Sequence, residues 1–234
     1  MNFRWCSEDM LHDEIAACVA RYHMRSGGDA SYDRYFAGPH LTLDDPLEHV
    51  DEAGVAPIVQ FLRDWRARSY YQSHPGLLID VLRPVWPDLK ALRTSTLLSV
   101  DLSPHGPSAK RVSAVFSAVE QGTCGEHTAP RQTVAASKLL HILHPELFVM
   151  WDSAVIRALE RQHNLHRTLR CEGGYILFLR LMQDVARRAV HECIQRHGTD
   201  EAGSVSRLCP CGHSLAKVID EYNVVRLQPA AGAT

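Results

Sequence analysis

Apolar side chains along this chain recur at the three- and four-residue spacing of a buried helix face, and almost nowhere at the two-residue spacing of a strand. Met10, Leu11, Ile15, Cys18, Val19 and Tyr22 line a first helix, with Gly27-Gly28 placed to end it. Asp29 to Leu43 is polar around the aromatics Tyr32, Tyr35 and Phe36 and reads as a loop. Asp45-Pro46 has the form of a cap followed by proline at the first helical position. Ile58, Val59, Phe61, Leu62 and Trp65 predict a helix from Ala56-Pro57 to Arg66, and shorter helices are expected over Gly76–Leu82 and Asp88–Leu98.

Ser103-Pro104-His105-Gly106-Pro107 breaks the pattern and is the best internal boundary. It separates an N-terminal helical region, 1–103, from a helical core region, 104–228, with 229–234 as a disordered tail. Beyond the break, Val112, Val115, Phe116 and Val119 define a helix over Ser108–Gln121, and a loop runs from Gly122 to Arg131. Gly173-Gly174 opens the longest periodic stretch, Tyr175–His197, whose stripe includes Phe178, Met182, Val185, Ala189 and Ile194 and which Gly198 ends. Ser204–Gly212 reads as irregular, Ser214–Tyr222 as a last short helix and Val224–Leu227 as a candidate lone strand. The fold class is all-α.

A chain of 234 residues, 45% hydrophobic and 22% charged, has the balance of a soluble globular protein of one large or two small domains. No run approaches the length of a membrane span, and Met1-Asn2-Phe3-Arg4-Trp5 lacks the layout of a signal peptide. A cytoplasmic protein with no membrane partner is the expectation. The net charge of −2 weighs against avid nonspecific DNA binding, which draws on clustered Lys and Arg. Arg157, Arg161, Arg167, Arg170, Arg180, Arg187 and Arg188 nevertheless crowd one third of the chain, either as a solvated face or as a local nucleic-acid groove. Seven cysteines, an odd number, point to free thiols, with a metal site as the alternative.

The most informative stretch is Thr133–Leu159. Ala135, Ala136, Leu139, Leu140, Ile142 and Leu143 give a helix a buried side, and His144-Pro145 stops it because proline disfavours helical geometry in the residue before it. Leu147-Phe148-Val149-Met150-Trp151 is too apolar for a surface loop and should thread the core. Asp152 then precedes Ser153-Ala154-Val155-Ile156, where its carboxylate would accept amide hydrogens of a first helical turn.

These elements, Ala135-Ala136-Ser137-Lys138-Leu139-Leu140, Pro145, Phe148 and Asp152-Ser153-Ala154-Val155, resemble the centre of the helix-hairpin-helix DNA glycosylase superfamily, including relatives with an oxoguanine-glycosylase-like fold. The resemblance covers roughly thirty of the 234 residues. It implies two helical lobes with a cleft, and a carboxylate at Asp152 that stabilises positive charge on the sugar as a base leaves, or activates a water. Two departures stand out. Glu126–Gln132 occupies the place of the family's Gly-rich hairpin, and Gln132 or Thr133 stands where its Schiff-base lysine lies, more than a turn before Lys138.

Each candidate residue has a structural reading beside the chemical one. Asp152 is a catalytic carboxylate or a helix cap. Lys138, the second catalytic candidate, reaches solvent, or else meets an acidic residue or a phosphate; solvent is the expected place. Trp151 stacks on a base or is plain core, while Arg157 and Arg131 are candidates for substrate phosphate. His141 and His144 share a face and read as a core-edge pair bonded to backbone. Cys193 and His197, adjacent on the long helix, would form a structural zinc site with two donors of the Cys209-Pro-Cys211-Gly-His213 loop, Cys209 and Cys211 foremost. Reduced buried thiols are the other reading. Cys124, Glu126 and His127 are neighbours in sequence, which does not make a catalytic dyad.

Two functions follow as expectations. One is a glycosylase-like protein that binds DNA or a nucleobase-containing ligand near Asp152 and hydrolyses an N-glycosidic bond. The other is a non-catalytic relative with a protein partner, for example in a toxin-antitoxin or phage-defence setting, using the Tyr175–His197 helix or the aromatic segment 29–43 as its surface.

Overall fold

The computed structural model describes residues 11–26, 29–67, 75–122, 132–165, 168–170 and 173–227. Among these residues every regular element is helical and there is no strand. None of the helices is long and apolar enough to cross a membrane. The chain divides into two compact units, a central one of Asp29–Thr96 and Val100–Trp151 and a terminal one of Met1–Gly28, Leu97–Ser99 and Asp152–Thr234. Residues on both sides of the Ser103–Pro107 break therefore belong to the central unit.

The central unit holds α2 (Ala30–Ala37), α3 (Glu52–Asp64), α4 (Gly76–Leu82), α5 (Trp86–Leu92), α6 (Pro107–Gly122) and α7 (Thr133–Leu143). Helix α2 corrects the expected loop. Tyr32 and Tyr35 are buried one turn apart, and their rings lie 6.3 and 5.6 Å from that of Phe61 on α3. Burial drives the Tyr35 phenol well above its ordinary pKa.

Helix α3 begins four residues before Ala56, because Asp51 caps it by accepting the Gly54 amide at 3.0 Å. Pro57 sits inside the helix, not at its start. The helix ends in a Schellman arrangement, with Arg66 left-handed (φ 51°), the Arg66 amide on the Arg63 carbonyl and the Ala67 amide on the Leu62 carbonyl. Asp45-Pro46 does not cap an α-helix: the Asp45 carboxylate takes the Thr42 amide and hydroxyl, and Leu47–His49 forms a 3₁₀ turn.

The terminal unit holds α1 (Leu11–Ser26), α8 (Ser153–Gln162), α9 (Gly174–His197), α10 (Glu201–Leu208) and α11 (Leu215–Leu227). Left-handed glycines bound α9, Gly173 at φ 76° and Gly198 at φ 62°. Helix α5 stops at Leu92, short of the expected Leu98. The turn Leu97–Ser99 instead belongs to the terminal unit, where the Leu97 carbonyl accepts Gln183 Nε2 at 2.7 Å and the Leu98 carbonyl accepts Arg187 Nη2 at 2.8 Å.

Two further expectations are corrected. Residues 201–208 form α10, capped by Asp200, whose Oδ1 accepts the Gly203 amide at 2.7 Å. Val224–Leu227 continues α11 as helix, where Arg226 donates to the Tyr222 hydroxyl at 2.7 Å and pairs with Glu14 of α1 at 3.1 Å.

Candidate active site

The chemistry expected from the sequence centres on α7 and the segment after it. Every residue from Ala135 to His144 is buried. A sealed connection must have its backbone groups partnered from within the protein, and α7 supplies those partners. Ser137 Oγ donates to the Val134 carbonyl and accepts the Trp151 amide at 2.9 Å. His141 Nδ1 donates to the Phe148 carbonyl at 2.5 Å, and its Nε2 meets the Tyr32 hydroxyl at 3.2 Å. The His144 carbonyl accepts the Leu147 and Phe148 amides, each at 3.2 Å. Its ring Nε2 donates to the Leu92 carbonyl at 2.9 Å, and burial lowers the imidazole pKa, partly offset by that carbonyl. The two histidines are thus the backbone-bonded pair that the sequence suggested.

Leu147, Phe148, Val149, Met150 and Trp151 are all buried, so the apolar link threads the core. Trp151 is 4% exposed, which takes its ring out of reach of a stacking base. Asp152 follows at once and is half-buried. Its Oδ1 accepts the Ala154 amide at 2.7 Å and the Val155 amide at 3.3 Å, and its carbonyl accepts the Ile156 amide at 2.9 Å. The expected helix cap is present. Its carboxylate faces the positive end of α8.

Lys138 corrects the expectation of a solvent-facing side chain. It is 9% exposed, its Nζ donates to the Trp65 carbonyl at 2.8 Å, and it lies 5.4 Å from the centre of the Trp65 ring. Arg157, a little over one turn beyond Asp152, is exposed, as is Arg161. Arg131, Cys124, Glu126 and His127 lie outside the described residues, as does the side chain of Arg170.

The metal-ligating candidates separate. Cys193 and His197 come together with His12 of α1, their ligand atoms all within 4.8 Å of one another. Cys193 is fully buried and His197 exposed; Cys209 is half-buried and Cys211 exposed. Neither Cys209 nor Cys211 belongs to a three-donor group among the described residues. A second group, missed in the sequence, joins His23, His213 and Glu221. Glu221 is sealed, 3.0 Å from His213 Nδ1, 3.2 Å from His23 Nε2 and 3.4 Å from Lys217 Nζ, while Lys217 also lies 3.6 Å from Asp220. Its residues sit on α1, α11 and the turn before α11, so no local spacing announces it.

The central unit also has a cavity of about 350 Å³ at the start of α3, lined by residues that include Pro39, His40, Asp45, Pro46, His49 and Asp51. Its carboxylates are occupied by local structure, Asp45 by Thr42 and Asp51 by the cap of α3. Comparison with protein-family models, with curated proteins and with solved structures finds no match.

Proposed function

We propose that the chain is a glycosylase-like helical protein that binds a nucleobase-containing ligand beside Asp152 and hydrolyses an N-glycosidic bond there. The observation that carries this reading is the change of surroundings at one residue. A sealed run ends at Trp151, and the next side chain is a half-exposed carboxylate held at a helix N-terminus. Such a fixed negative group stabilises positive charge that develops on a sugar when the base departs. Water then bonds to the sugar carbon, the carbon–nitrogen bond breaks, and the base leaves with the proton. The reading is hydrolysis without a lyase step, supported by Gln132 or Thr133 at the Schiff-base position and by the Lys138 ammonium donating to the Trp65 carbonyl. Arg157, exposed on α8, is the candidate for contact with phosphate.

The amides of Ala154 and Val155 donate to the Asp152 carboxylate and so report on it directly. Nucleosides and short single-stranded oligonucleotides added to the ¹⁵N-labelled protein should shift those two resonances in a saturable way. Saturable binding with both amides unmoved would remove the ligand from Asp152.

A second reading, a non-catalytic scaffold with a protein partner, draws on the fact that Lys138, Trp151 and Asp152 Oδ1 all serve the fold. Burial of Tyr32 and Tyr35 takes the aromatic segment out of such a surface and leaves the exposed face of α9.

A further inference from the structure

Helix α9 carries Cys193 and His197 on one face near its end, and α1 brings His12 to them. We propose that His12, Cys193 and His197 form a three-ligand site for a zinc-class divalent cation, with water in the fourth position. One thiolate and two imidazoles are donors that such ions favour over hard cations. Zinc bonds of about 2.0 to 2.3 Å in a tetrahedron place ligand atoms roughly 3.4 to 3.6 Å apart. The three donors already lie within 4.8 Å of one another, so small side-chain rotations complete the site.

The surroundings fit the same role. His12 Nδ1 lies 3.3 Å from Asp13 Oδ1, and Asp13 is in turn held by Arg196. A carboxylate on one ring nitrogen is the usual way a ligating histidine is oriented for metal on the other. The Cys193 thiol is only loosely engaged, 3.9 Å from the Ser204 carbonyl. Burial grades from the sealed sulfur through half-buried His12 to exposed His197, which puts the water position on the solvent side. On binding, the thiol gives its proton to solvent as the sulfur–metal bond forms. The ion would fasten α1 to the last turn of α9. The His23, His213 and Glu221 group is different, because the Lys217 ammonium 3.4 Å from Glu221 already supplies a cation there.

The test is a Zn²⁺ titration of the chelator-treated 234-residue chain by calorimetry, with Co²⁺ as a spectroscopic substitute. One equivalent should bind, and Co²⁺ should give a thiolate charge-transfer band that Cys193→Ser abolishes. His12→Ala and His197→Ala should each weaken binding at least about tenfold, the lower end of what even an outer-sphere partner contributes. Cys209→Ser and Cys211→Ser should bind as the parent does. Cys193 is sealed, so its variant can lose stability; exposed His197 keeps the test decisive in a folded protein. Absence of a saturable equivalent, binding that survives both histidine changes, or binding lost with Cys209 or Cys211 would overturn the proposal.

Discussion

The ammonium of Lys138 on α7 donates to the carbonyl of Trp65, the residue that closes α3, at 2.8 Å. A helix leaves its last carbonyls without intrahelical partners, and its C-terminus carries partial negative charge. Lys138 meets both needs and lays its charge over the Trp65 indole as well. What reads in the sequence as an exposed or reactive lysine is a tie between two helices of the central unit.

Lys138→Met keeps the stem and removes the charge-assisted hydrogen bond, so the protein should lose about 1.5 to 3 kcal/mol of stability. Denaturant unfolding would show this as a lower midpoint at unchanged slope. A change within error would mean that the contact to Trp65 contributes nothing net. Borohydride in the presence of an abasic oligonucleotide should trap no covalent adduct, since this amine is sealed at 9% exposure.

Gly174 opens α9 against the backbone of Leu169, where an added Cβ would stand 2.0 Å from the Leu169 carbonyl oxygen. Backbone cannot yield as a flexible side chain does. Gly174→Ala should therefore cost at least the 1 to 3 kcal/mol typical of overpacking. A thermal midpoint equal to the parent's would show that this approach is not close in solution.

His144 gives a pH dependence of stability. Its pKa in the folded protein lies below the ordinary 6.5 because burial disfavours the imidazolium. Between those two values the unfolded chain binds more protons, so stability rises with pH. The contribution is complete above about 6.5 and declines as pH falls toward the folded value. His163, also lowered by burial, acts in the same sense. Comparison of unfolding midpoints above and below pH 6.5 should show His144→Gln less acid-sensitive than the parent. Identical acid sensitivity would exclude His144 as a source.

Local signals carried much of this architecture. Pro145 marked the end of α7, the run of apolar residues marked a buried link, and Asp152 before Ser153-Ala154-Val155 marked the cap of α8. Gly173 and Gly198 marked both ends of α9. Helices α2 and α10 were hidden because each buries only two side chains, Tyr32 and Tyr35 on α2 and Ser204 and Leu208 on α10, too few for an apolar period to show. Partnerships between distant segments were hidden for a different reason. Nothing near Lys138 names the Trp65 carbonyl, and nothing near Cys193 names His12. The i, i+4 spacing gave two of the three members of the Cys/His group, while the third came from α1 and not from the Cys-Pro-Cys loop that the eye joins to it.

The capping role of Asp152 and the catalytic role proposed for it separate by substitution. Asparagine caps nearly as well as aspartate, whereas alanine at such a position costs about 0.5 to 2 kcal/mol. Asp152→Ala should therefore unfold earlier than Asp152→Asn, and thermal melts will order the two. Equal melting of both would mean that the bonds to Ala154 and Val155 do not stabilise α8.

Asp152→Asn then tests most directly whether this carboxylate cleaves an N-glycosidic bond. Release of free base from single-stranded and duplex oligonucleotides bearing oxidised, alkylated or deaminated bases would be followed by chromatography, for the parent and the variant at matched folded fraction. The parent should release base from at least one of these, and Asp152→Asn should lose nearly all of that release. Equal release by the two proteins, or none by the parent from any substrate, would contradict the proposed role of Asp152.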